Sequence, residues 1–351
     1  MALTSRGKAV VAGGAVVAVL GGGIGALALS GNAPDVTGIV DAVVPGDTVQ
    51  PCPLTGETLP GDAAPPDRPV LAVKVENTPD AQPLAGLDGA DIVYEEVVEG
   101  GITRFVVLFH CDDADRIGPV RSIRSTDPGI LTPFSEHPLL AFSGGSKGVR
   151  TIVEDAGMTT LDEDSATKAF ERDDDRDVPH NLFTATKPLW VKGLKRADGE
   201  PAPEPAFTYG EEVPTPSKKA RSATVVFSSL ATAEWHWAKG RWVRYLEGSP
   251  MLLENGEPIT TDNVVIQVVR TTESEFQDVL DYPSPEVDLT GSGKAWVLRD
   301  GKLIVGKWER SDEAAFTTFV TKSGDEIALK PGTTYVELAP KGMFDAQISF
   351  G

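Results

Sequence analysis

From Ala9 to Leu29 the chain runs 21 residues without a polar side chain, glycines included, and Arg6 and Lys8 stand just before it. As a helix this stretch spans about 30 Å, the hydrocarbon thickness of a bilayer. The flanking cations place residues 1–8 in the cytoplasm and everything after 29 outside it. The reading is a retained signal anchor, with cleavage after Ala26-Leu27-Ala28 as the alternative. Residues 30–68 have no apolar period and are rich in proline, which predicts an extended extracytoplasmic stalk.

Periodicity resumes at Pro69–Val75, which predicts a strand. Ile92–Glu99 and Ile102–Cys111 are two β-prone runs joined by Gly100-Gly101, whose freedom at positive φ suits a tight hairpin. A turn follows at Gly118-Pro119, then a helix opening near Thr126-Asp127 with Pro128 in its first turn. Leu139–Ser143 reads as a strand running into Gly144-Gly145-Ser146. A helix with Val149, Ile152, Val153 and Ala156 on one face comes next, closed by Gly157. Residues 197–221, again proline-rich, predict a linker. Beyond it the pattern is one of hairpins: 235–238 with 241–246 about Lys239-Gly240, and 294–298 with 303–308 about Asp300-Gly301. Strands at 264–270 and 335–338 complete the set. The fold class is therefore α+β: a mixed α/β N-terminal domain (69–196), a mostly-β C-terminal domain (222–340) and a tail (341–351), preceded by the transmembrane or signal helix.

Composition narrows the function. The chain has 351 residues and carries 32 Lys and Arg against 52 Asp and Glu, a net charge of −20. Such a surface repels phosphate backbones, so nucleic acid is excluded as a partner. Two cysteines and four histidines exclude a disulfide-dense scaffold or a zinc array. In an exterior compartment the pair Cys52 and Cys111 predicts one disulfide, two buried thiols being the alternative.

Candidate chemistry concentrates in the first domain. With Gly100 and Gly101 as a two-residue turn, Val97 faces Arg104, which then lies between Glu95 and Glu99 on one sheet face. That arrangement is either a preorganised polar floor or a solvated charge ladder. Arg121 and Arg124 precede a helix start, where unpaired N–H groups favour anions. Ser146 reads as a helix cap, with a second anion nest as the functional alternative. His180 follows an acidic run and is a candidate proton carrier. Asp173, Asp175 and Asp177 alternate but lack the glycine and distal glutamate of a calcium loop, so neither metal nor cofactor is expected. Trp235 and Trp237 share a sheet face and read as core, with stacking on sugar rings as the alternative.

Val73-Lys-Val-Glu-Asn77, Ile92 to Arg104, Ile117 to Arg124 and Pro179-His-Asn-Leu182 together resemble the YerB-like putative lipoprotein family. The resemblance covers about Leu54 to Pro340. It implies an extracytoplasmic bacterial protein of two domains and brings no catalytic role. The chain departs from the family in having no lipid-attachment cysteine after the apolar run. The expectation is a membrane-tethered envelope protein whose ligand residues are Glu76, Asn77, Arg104, Arg121, Arg124, Ser146 and Asn181. Its partners are the membrane and a cell-wall glycan or anionic polymer. The alternatives are a hydrolase using Glu95, Glu99 and His180, and a scaffold that docks a partner through the β domain.

Overall fold

The computed structural model describes residues 49–197, 199–278 and 281–351. The predicted anchor at 9–29 and residues 30–48 of the stalk lie outside these residues. No helix among the described residues is long and apolar enough to cross a membrane.

The first region supplies β1 (Leu71–Glu76), β2 (Ile92–Val97), β3 (Thr103–Phe109), β4 (Leu139–Ala141) and β5 (Thr159–Leu161). A small hairpin of β6 (Phe170–Arg172) and β7 (Leu182–Thr184) follows. Its helices are α1 (Asp127–Leu131), α2 (Lys147–Asp155) and α3 (Thr186–Gly193). The second region begins with β8 (Lys218–Lys219), β9 (Ser222–Val226), β10 (Thr232–Ala238), β11 (Arg241–Leu246), β12 (Ser249–Pro250) and β13 (Thr260–Thr261). It continues with β14 (Asn263–Gln277), β15 (Pro283–Asp288), β16 (Gly291–Arg299), β17 (Lys302–Arg310), β18 (Thr318–Thr321), β19 (Thr334–Gly342) and β20 (Gln347–Phe350).

Strands of both regions share one twelve-stranded sheet in the order β18-β17-β16-β14-β19-β2-β3-β1-β4-β5, with β15 also paired to β14 and β8 to β17. The seam is the parallel pair β19 and β2, where Glu337 stands opposite Glu95. A six-stranded sheet, β12-β11-β10-β9-β20 with β13 beside β11, covers one face. Between the sheets lies a core containing Val73, Phe105, Val225, Trp235 and Ile266. On the opposite face Ala72, Val106 and Ile123 pack with Ile130 of α1 and with Val149 and Val153 of α2. The β20 strand, within the segment read as a tail, is hydrogen-bonded to β9. The proline-rich linker is also tied to the body, with Tyr209 donating to the Leu54 carbonyl and Gly210 N to that of Leu329.

Turn chemistry explains which hairpins match the sequence reading. Asp300 and Gly301 both take positive φ, 51° and 64°, and Arg299 pairs with Lys302 as a two-residue turn demands. The Gly100-Gly101 ribbon differs. Its loop runs from Val98 to Ile102, closed by Val98 N donating to the Ile102 carbonyl, with a 3-10 turn over Glu99–Gly101. Val97 therefore pairs with Thr103, and Arg104 stands opposite Glu96. A one-residue slip moves side chains to the other face. The predicted sandwich of Arg104 between Glu95 and Glu99 is thus corrected: Glu95 points away from Arg104, into the core between the sheets.

The disulfide Cys52–Cys111 is formed, with the two Cα atoms 6.1 Å apart. It ties the segment at 52 to the end of β3. His110 and Asp91 are buried beside it, and Asp91 Oδ2 accepts from the backbone N–H of both His110 and Cys111.

Candidate functional site

A row of charged residues crosses the sheet on the α1 and α2 face: Glu96 on β2, Arg104 on β3 and Glu76 on β1. One row inward lies Lys74, wholly buried and bonded to Glu96 and, at 2.7 Å, to Asp127 of α1. Burial raises the pKa of Glu96, against the pull of Lys74. This triad fixes α1 to the sheet and fills the space beneath the row.

The Pro119–Arg121 segment runs along β1, with Glu76 N donating to the Pro119 carbonyl and Arg121 N to that of Lys74. It delivers Arg121 to the row, where Nε lies 3.4 Å from Glu76. Arg124 is held by Glu99 through Nε at 2.8 Å and through Nη2, and Ser284 from the second region donates to the same carboxylate. Asp127 fixes the Arg124 backbone by accepting its N–H at 2.7 Å. Facing these arginines is the N-terminus of α2, capped by Ser146, whose oxygen accepts from Val149 N at 3.3 Å. The pocket they enclose has a volume of about 450 Å³ and is lined by Glu99, Arg104, Arg121, Arg124, Ser146 and Ser284.

Arg104 is the least satisfied member. Its side chain is 5% exposed, its nearest carboxylate oxygen, on Glu76, is 3.9 Å away, and Nε has no hydrogen-bond partner. Nη1 reaches only the Thr103 carbonyl, at 3.4 Å. Burial lowers its pKa to about 10 despite Glu76, and the positive charges of Arg121 and Arg124 push the same way. Three guanidinium groups thus converge on one cavity where only Arg124 has a close carboxylate hydrogen bond.

Of the residues singled out in the sequence, Glu99, Arg104, Arg121, Arg124 and Ser146 line this pocket, and Glu76 lies directly behind it. His180 bonds Glu76 through Nδ1 at 2.8 Å and faces a neighbouring recess instead. Glu95 and Asn77 belong to the other face. There Arg244 Nη2 meets Glu95 at 2.9 Å and Nη1 meets Glu337 at 3.0 Å, while Asn77 donates to Glu95 at 2.9 Å. Glu337 has its pKa raised well above the ordinary carboxyl range by burial and by the adjacent Glu95 charge. Asn181 is buried against Arg172 and the Asp173 carbonyl, outside the pocket. Trp235 is core and donates to Glu337 at 2.7 Å.

Sequence reasoning passed over Lys74, Glu96, Asp127 and Ser284. A lysine between Val73 and Val75, in a strand buried on both faces, was the available signal for the triad. Ser284 had none, because it arrives from the second region. Among the described residues, the grouping with metal-ligand geometry is Cys52, His110 and Cys111, and both sulfurs are engaged in the disulfide.

Two family models match this arrangement of domains. Residues 54–199 match "Protein of unknown function (DUF3048) N-terminal domain", and residues 223–336 match the corresponding C-terminal domain. The chain belongs to the YerB-like family. The protein named "Putative lipoprotein YerB" of Bacillus subtilis (strain 168) is 27% identical over 306 residues, spanning 82% of this chain and 86% of its own length. The crystal structure of the YerB protein from Bacillus subtilis matches with a TM-score of 0.69 at 24% identity, covering 86% of this chain and 99% of that one. That likeness is one of fold. In this YerB-like chain the pocket draws on both matched segments, since Ser284 lies in the second and the arginines lie in the first.

Proposed function

We propose that the chain is a membrane-tethered extracytoplasmic protein that binds an anionic group of an envelope ligand in the Arg104–Arg121–Arg124 pocket. The exterior location is supported by the Ala9–Leu29 run, the Cys52–Cys111 disulfide and the lipoprotein name of the Bacillus relative. The observation that carries the binding reading is Arg104, a buried cation whose Nε has no partner, beside a cavity that opposes it with two more guanidinium groups. An anion in that cavity satisfies Arg104 and relieves repulsion among the three. The N-terminus of α2 adds its dipole to the same end.

Hydrolysis gains no comparable support. Glu95 is sealed on the other face, Glu99 is clamped by Arg124 and Ser284, and His180 is occupied by Glu76. Retention of the full chain on immobilised envelope polymers tests the binding reading. Arg104→Gln and Arg121→Ala should each cut retention at least about tenfold. Equal retention by wild type and both variants disproves it.

A further inference from the structure

A second and larger recess, about 1350 Å³, lies on the other face of the main sheet, where the small sheet ends at β20. Its floor is laid out by strand register. Arg270 on β14 stands directly opposite Lys341 on β19, and Lys294 on β16 stands directly opposite Lys307 on β17. Lys294 is two residues from Trp296, and Trp296 is opposite Ile266, so alternation places all four cations and the indole on one face. Lys307 is neutralised by Glu309. Arg270, Lys294 and Lys341 are exposed, and none has a carboxylate ion-pair partner among the described residues.

Like charges placed directly opposite across strands destabilise a sheet. Here two such pairs are neighbours in a chain whose net charge is −20. Asp288 on β15 also stands opposite Arg270, and Asp288, Glu273 and Asp345 line the recess, but among the described residues none of the three forms an ion pair with Arg270, Lys294 or Lys341. Trp296, half-buried and 5.8 Å from the Phe350 ring, provides an aromatic face at the inner end of the recess.

We infer that this groove binds an acidic glycan, with a sugar ring against Trp296 and its carboxylate or phosphate groups on Arg270, Lys294 and Lys341. Sugar rings present apolar C–H faces that suit an indole, while their acidic substituents need cations at the groove walls. A flat anionic membrane meets the lysines equally well but cannot reach an indole recessed between two sheets. The groove is separate from the arginine pocket, and neither site requires the other.

Titration of the full chain, held in phosphatidylcholine vesicles, with oligogalacturonate and with uncharged maltooligosaccharide of equal length tests the inference. The uronate should bind, and raised salt should weaken it. Lys294→Gln/Lys341→Gln and Trp296→Leu should each weaken it at least about tenfold. The lysine variant relieves repulsion, so circular dichroism should show it fully folded. Equal affinity for the neutral sugar, absence of uronate binding, or loss only in Arg104→Gln overturns the assignment. So does acylation protection of Lys294 and Lys341 by phosphatidylglycerol vesicles where the uronate gives none.

Discussion

Glu76 and Arg104 are register partners on β1 and β3, yet their charged ends stand 3.9 Å apart while His180 bonds the same carboxylate at 2.8 Å. The arginine is therefore held near its counter-charge without being consumed by it. That separates Arg104 from Lys74, one row inward, which is fully engaged by Glu96 and Asp127.

Substitutions should expose this difference. Lys74→Met leaves two carboxylates buried without a cation and should cost about 3–5 kcal/mol in urea denaturation. Arg104→Met removes a poorly satisfied cation, and Glu76 keeps Arg121 and His180, so the cost should stay below about 1 kcal/mol. A comparable loss in both would mean that Arg104 is a structural strut.

Two neighbours beside the disulfide titrate in opposite senses. Burial raises the pKa of Asp91 to about 7, against the N–H groups of His110 and Cys111, and burial lowers that of His110 to about 4, with Arg68 adding to the effect. Unfolded, the same groups sit near about 3.9 and 6.5. Asp91 holds its proton longer in the folded state, so its contribution falls as pH rises from about 4 to 7. His110 resists protonation when folded, so its contribution falls as pH drops from about 6.5 to 4. Between these limits the two slopes oppose, and wild-type stability should be nearly flat across them. Asp91→Asn should uncover a loss of up to about 1.4 kcal/mol per pH unit on acidification, and His110→Gln the reverse trend. Denaturant midpoints measured from pH 4 to 7 decide it; parallel curves for all three proteins would refute the pairing.

The Cys52–Cys111 bridge closes a loop of 59 residues in sequence separation. Chain-entropy arguments give about 4 kcal/mol for a loop of that length. Cys52→Ser/Cys111→Ser should lose that much, and the wild type should lose the same amount under reductant. Unequal losses would show that the substitutions disturb the buried site in other ways.

Anion binding should raise the melting temperature of wild type in the presence of excess inorganic phosphate, through preferential binding to the folded state. The increment should fall further in Arg104→Gln than in Lys294→Gln/Lys341→Gln. An increment retained in Arg104→Gln would place the phosphate elsewhere.

Local chemistry made much of this fold legible in advance. Asp300-Gly301 announces its hairpin because both residues tolerate positive φ, and Ser146 announces α2 because its hydroxyl oxygen satisfies an orphan N–H. The arginines at 121 and 124 were readable as a pair because they precede a helix start. Register was not readable in the same way. Gly100-Gly101 permits both a two-residue turn and a longer loop, and the choice decides which of Glu95 and Glu96 shares a face with Arg104. The meeting of Glu95 with Arg244, or of Glu99 with Ser284, depends on residues far apart in sequence, and no local pattern encodes it.

The β2–β19 seam sets the order in which the molecule can be completed. As synthesis proceeds, β2 has β3 on one side and a bare row of N–H and C=O groups on the other until residues 334–342 arrive. An N-terminal fragment ending in the proline-rich segment would therefore present an adhesive strand edge to its own copies. Physiological truncation or proteolysis near residue 200 should yield aggregates rather than a working half.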